Sequence, residues 1–153
     1  MTNPRNLSVQ EGEKIDTTLL ESLVGYNARR TSLAAIEVFL QHMGEFGLRT
    51  VDFSVASLIL HNPGITSRQL CDVLGLLPPN LVGLLKGLEQ RGLIVRRAHP
   101  LDGRALGLHA TEDGIALVQA AEKKVTSLEA QIASRLSLDE RKTLIRLLKK
   151  IYL

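Results

Sequence analysis

Between Thr66 and Arg104 the chain runs through an order of local signals that leaves few folds open. Thr66 followed by Gln69 has the spacing of a capping box, in which the two side chains satisfy amides at the start of a helix. It opens a short helix over residues 67–74 that Gly75 stops. Leu76-Leu77 leads into Pro78-Pro79-Asn80, where proline in a first helical turn costs no hydrogen bond because those amides have no acceptor inside the helix. The next helix is predicted over about 79–91. It carries Leu81, Leu84, Leu85 and Leu88 on one stripe, and Asn80, Gly83 and Lys86, with Val82 beside them, on the opposite side. Residues 93–97 and 105–110 then read as short strands joined by a loop holding Pro100, Asp102 and Gly103. Short helix, turn, amphipathic helix and basic hairpin, in that order, make a winged helix-turn-helix. Such a unit lays one helix in a DNA major groove and a charged loop beside it.

The charge distribution agrees. From residue 86 to 104, Lys86, Arg91, Arg96, Arg97 and Arg104 face only Glu89 and Asp102, a local excess of three that equals the net charge of the whole chain, +3. Clustered cations favour a polyanion, because neutralising phosphates releases condensed counterions. Thr66, Ser67 and Arg68 sit where a helix start can meet a phosphate, although capping alone accounts for Thr66.

Outside this unit the pattern is helical. Residues 1–13 are polar, contain Pro4 and Gly12, show no period, and are expected to form a flexible tail. From Asp16 to near Gly44 a single long helix is predicted, opened by Thr18 and Glu21 at capping-box spacing and carrying Leu19, Leu20, Leu23, Leu33, Ile36 and Leu40. Some 25 residues at 1.5 Å each, about 37 Å, outrun a small globule and call for a partner to cover the stripe. Thr50 is placed to cap an apolar helix that ends at Asn62-Pro63-Gly64. Thr111 opens a helix in which Val118, Ala121, Val125, Leu128 and Ile132 have the spacing of a helix-pairing seam, and Ser137 with Glu140 caps a last helix.

The fold class is therefore mainly α with a small β-hairpin wing. Aromatics make up 3% of the 153 residues and Trp is absent, which suits helix-on-helix packing. A lone cysteine, Cys71, excludes an internal disulfide; it falls on the inner side of its short helix beside Leu70 and Leu74, the place of an inert thiol rather than a redox sensor. His42, His61, His99 and His109 lack zinc-site spacing, leaving only a convergence of His42 and His61 through folding, so no metal and no cofactor are expected. No nucleophile, base and orienting acid form a catalytic motif and no phosphate-binding glycine loop appears, so the chain does not read as an enzyme. No stretch reaches the length of a membrane span and the start is too polar for a signal peptide, which points to a cytoplasmic protein.

The run Leu88-Glu89-Gln90-Arg91-Gly92-Leu93-Ile94, then Arg96, then Pro100-Leu101-Asp102-Gly103-Arg104-Ala105, then Ala110-Thr111-Glu112-Asp113-Gly114 resembles the MarR family of bacterial transcription regulators. The resemblance covers about residues 16–153. It implies one domain over 14–153, with a DNA-binding part near 48–111 and dimerisation helices near 16–43 and 112–153. It further implies a homodimer whose two lobes grip a pseudo-palindromic DNA operator. Asp102 and Arg104 match the family's Asp-x-Arg wing motif, in which the acid braces the hairpin and the arginine enters the minor groove, where a narrow groove concentrates negative potential. The match departs at Pro78-Pro79-Asn80 and Gly83, where relatives carry polar or cationic residues, and at Gly103, often cationic in relatives. Direct base readout is then sparse: Asn80 suits adenine, Lys86 suits guanine or a phosphate, and Gly83 permits close approach.

The resemblance also implies release from DNA by a small phenolic or aromatic acid, or its coenzyme A thioester. Tyr26, Asn27, Arg29 and Arg30 interrupt the apolar first helix, and an arginine there suits a carboxylate or phosphate; snorkelling or pairing with acids is the alternative. The stretch 23–30 resembles relatives beside aromatic-acid catabolism genes. A winged-helix module that binds protein instead of DNA stays open, because half of the second helix is apolar.

Overall fold

The computed structural model describes residues 15–99 and 102–153, and the side chains of these other than 99 and 102–105. The expected tail over 1–13 and the loop positions Pro100 and Leu101 lie outside the described residues. The elements are α1 (Thr18–Glu21), α2 (Val24–Met43), a 3-10 turn (Gly44–Phe46), α3 (Thr50–His61), β1 (Ile65–Thr66), α4 (Ser67–Leu74), α5 (Pro78–Gln90), β2 (Ile94–His99), β3 (Asp102–Ala110), α6 (Glu112–Ile132) and α7 (Leu138–Tyr152). Contacts divide the described residues into two compact units, one ending at Leu33 and the other comprising Ala34–Leu153.

In the first unit the expected unbroken helix is interrupted at Ser22-Leu23. The amides of Ser22 and Leu23 donate three residues back, to Leu19 and Leu20, which tightens and ends the first turn. The Asn27 side chain then bridges the break by donating to the carbonyls of Glu21 and Leu23, 2.8 Å each. Thr18 does not cap α1: its amide donates to Asp16 Oδ1, and Glu21 accepts instead from the Thr17 hydroxyl.

The second unit holds the core. The buried faces of α3 (Val55, Ala56, Ile59) and α5 (Leu81, Leu85, Leu88) meet Leu70, Leu93, Ile94 and Leu108. Phe39 of α2 packs on Phe53 of α3 with ring centroids 5.8 Å apart. The apolar α3 is internal, as its composition requires. Its cap, however, is Arg49 rather than Thr50: Asp52 accepts from the Arg49 amide at 3.0 Å and from its Nε at 2.9 Å.

The seam on α6 is filled by this chain itself at three of its positions, while Val125 and Ile132 are half-buried. Val118, Ala121 and Leu128 are 2%, 0% and 6% exposed and pack into the core against α3. Periodicity reports an apolar stripe but not whose side chains cover it.

The sheet is antiparallel in the order β1-β3-β2. The hairpin strands run longer than expected, so Asp102 and Gly103 belong to a strand rather than to the loop, with a register shift between Ala98 and His99. β1 is an addition to the expected elements: Ile65 pairs with Leu108 and Thr66 with Gly107. Gly107 is required there, since a Cβ would lie 2.9–3.2 Å from the Gly64 backbone. At the other end of the hairpin the Thr111 amide donates to the Leu93 carbonyl at 3.0 Å and its hydroxyl accepts from the Gly114 amide. Any Cβ on Gly114 would collide with that same carbonyl.

Candidate nucleic-acid interface

Helices α4 and α5 meet at 117°, within the range of helix-turn-helix pairs. The geometry follows from local chemistry. Thr66 accepts from the Gln69 amide while Gln69 Oε1 accepts from the Thr66 amide, so both orphan donors at the start of α4 are satisfied. Gly75 closes α4 in the left-handed region at φ 62°, a conformation that costs glycine nothing, and Pro78 restarts the helix after two residues.

The inner stripe of α5 buries Leu81, Leu85 and Leu88, which fixes the outward face. Asn80, Gly83 and Lys86 are exposed there, as is Val82 at 62%. A Cβ at Gly83 would meet nothing within 4 Å, so packing does not explain a glycine at this position. Ser67 is half-buried and Arg68 exposed at the first turn of α4. A groove of about 730 Å³ between α4 and α5 is lined by Ser67, Arg68, Cys71, Leu77, Val82 and Arg96, among others. Cys71, expected on the inner side, is half-buried and packs against the core beside the fully buried Leu70, and it also lines this groove.

The cation count overstates the charge available to a phosphate. Arg91 donates to the carbonyls of Phe46 and Gly47, 2.8 Å each, and so ties the end of α5 to the turn before α3. Arg96, expected to touch DNA, is paired with Glu89. Arg97 is exposed on the other face of β2.

A MarR family model matches residues 46–105. The chain is 32% identical, over 84% of its own length and 78% of the relative's, to a Thauera aromatica protein assigned to transcriptional regulation of the hcr operon. The chain belongs to the MarR family. This MarR protein superposes on the transcriptional repressor CouR bound to a 23-mer DNA duplex with a TM-score of 0.84 and 34% identity, covering 92% of this chain and 99% of that one. For CouR bound to p-coumaroyl-CoA the TM-score is 0.81 and the identity 33%, over 90% and 97%. The winged-helix fold inferred from the Thr66–Arg104 order is thus the fold of the MarR structures.

Of the wing motif, the backbone of Asp102 and Arg104 lies in β3, and their side chains lie outside the described residues. Among the residues expected to hold an effector, Asn27 spends its amide on the α1–α2 break, Tyr26 is half-buried, and Arg29 and Arg30 are exposed. No group of three metal-binding side chains occurs among the described residues. His42 contacts the Val38 carbonyl and His61 contacts Glu122, so the two histidines do not converge. No single helix among the described residues is long and apolar enough to cross a membrane.

Proposed function

We propose that this MarR-family protein is a homodimeric, sequence-specific DNA-binding regulator, a repressor that a small aromatic acid or its coenzyme A thioester releases from its operator in the cytoplasm. The observation that carries the reading is the outward face of α5. A helix anchored by three buried leucines presents Asn80, Gly83 and Lys86 to solvent, and an antiparallel hairpin follows directly. In that reading Lys86, Ser67, Arg68 and Arg97 supply phosphate contacts, Asn80 reads a base, and Arg104, braced by Asp102, enters the minor groove.

Dimerisation is supported by uncovered apolar surface. On α7, Leu144, Ile145, Leu147 and Ile151 are 39–66% exposed, and Leu19, Leu20 and Leu23 of the first unit are 44–74% exposed. Stripes of this kind mark interfaces in soluble proteins. The effector class is supported by the likeness to CouR bound to p-coumaroyl-CoA. Tyr26, Arg29 and Arg30 are its proposed contacts.

The test is selection of duplexes from a random-sequence pool by the purified protein, with mass measured by sedimentation. The expected result is a pseudo-palindromic site bound by a dimer and released by p-coumaroyl-CoA. A monomer that enriches no sequence at low salt overturns the reading in favour of a protein-binding module.

A further inference from the structure

Arg96 lies on β2 two residues from Ile94, so the pleat puts both on one sheet face, and Ile94 is 3% exposed. That face turns Arg96 toward α5. There its Nε lies 2.6 Å from Oε1 of Glu89, and its Nη2 3.3 Å from Oε2. The two side chains are 34% and 31% exposed, so the pair is partly withdrawn from solvent. Two parallel contacts between a planar guanidinium and a carboxylate fix an angle as well as a distance. Among the described residues this is the only side-chain ion pair that joins the outward-facing helix to the hairpin.

We propose that the Glu89–Arg96 pair is a brace that sets the wing's angle against α5, making Arg96 a positioning residue for DNA binding rather than a phosphate ligand. The proposal rests on the DNA-binding reading of α5 and the wing. The hairpin is tied at Leu93 to Leu88 and at Thr111 to Leu93, and β1 holds β3 at Leu108 and Gly107, but none of these backbone bonds joins β2 to α5 beyond Leu93. The bidentate pair, two residues into β2, supplies that link. It also neutralises Glu89, an acid on the very helix meant to approach a polyanion.

The two roles of Arg96 predict opposite signs at Glu89. If Arg96 is a phosphate ligand, removing the neighbouring acid frees the guanidinium and Glu89→Gln tightens binding. If the pair is a brace, Glu89→Gln lets the wing drift and weakens binding.

The experiment measures affinity against salt for a duplex that the wild-type protein has enriched from a random pool, using wild type, Glu89→Gln, Arg96→Gln and the double variant. Melting curves confirm that each is folded at the assay temperature. The expected result is a loss of roughly fivefold in each single variant, the order of a partly exposed pair. The double variant should be no worse than either single, because the same interaction is lost once. The salt slope should stay at the wild-type value, whereas a lost phosphate contact would lower it by about 0.9 per protomer. Tighter or unchanged binding by Glu89→Gln, or a reduced slope in Arg96→Gln, overturns the brace. Failure of the wild type to enrich any duplex overturns the DNA-binding reading itself, and the brace with it.

Discussion

Helices α6 and α7 carry apolar stripes of similar regularity, yet one is sealed and the other is bare. On α6, Val118 and Ala121 are at most 2% exposed, filled by α3 of the same chain. On α7, Ile145 and Leu147 are 44% and 47% exposed, and the only described side-chain bond between the two helices is Arg141 to Glu129 at 3.2 Å. Both helices are capped in the same way, by a hydroxyl that accepts from the third helical amide. Local chemistry therefore makes two equivalent helices, and tertiary position alone decides that one is packed into the fold and the other is left exposed.

A charge placed on each stripe breaks the comparison most severely. Val118→Asp buries a carboxylate in the apolar core with no partner and should cost about 4 kcal/mol or more, enough to unfold a marginally stable domain. Chemical denaturation followed by circular dichroism reads that loss. Ile145→Asp meets solvent instead, so the helical signal of the isolated subunit should persist while sedimentation shows dissociation. Should both variants unfold alike, α7 is covered within the subunit and the contrast fails.

The same contrast explains what the sequence made legible. The caps at Thr66, Thr111 and Ser137 could be read because both members of each pair lie within three residues, where spacing fixes geometry. The helix-turn-helix order followed from those caps and from Gly75. β1 could not be read, since two residues become a strand only through pairing with Leu108 and Gly107, far along the chain. The break at Ser22 was hidden for a related reason: it depends on an Asn27 side chain choosing backbone carbonyls, which an apolar period does not register. Arg96 and Glu89 were visible as charges seven residues apart, but their bond needs the turn at Gly92 that folds β2 back on α5.

A second pair of sites sharpens the comparison at lower energy. Gly114, at the buried start of α6, and Gly83, on the open face of α5, are both helical glycines, and alanine is the better helix former by about 1 kcal/mol at either. At Gly114 the added methyl overlaps the Leu93 carbonyl, an overpacking that costs about 1–3 kcal/mol and outweighs the gain. At Gly83 it meets open space, so the gain stands. Gly114→Ala should therefore lower the denaturation midpoint and Gly83→Ala raise it. A common sign would mean that backbone propensity, not packing, decides both sites.

The smallest effect concerns acid. Burial pushes the Asp52 carboxyl up, but hydrogen bonds from the Arg49 side chain and amide, with the charges of Arg49 and Arg91, outweigh it and leave the group below its ordinary value. The amide and hydroxyl of Ser137 likewise hold Glu140, on the uncovered α7, below its usual range. A depressed carboxyl binds its proton more weakly in the folded state than in the unfolded one. The stability it adds is therefore complete above the unfolded value, about 4, and is lost as pH falls through the folded value. In Asp52→Asn the loss of stability with falling pH should be shallower below about pH 4, and stability near neutrality lower, than in wild type. Glu140→Gln should show the same direction with a smaller amplitude, because its carboxylate is solvated and has no arginine partner among the described residues. Unfolding midpoints in urea from pH 2 to 7 would separate the two, and an unchanged pH profile in Asp52→Asn would show that the Arg49–Asp52 cap does not hold α3 in solution.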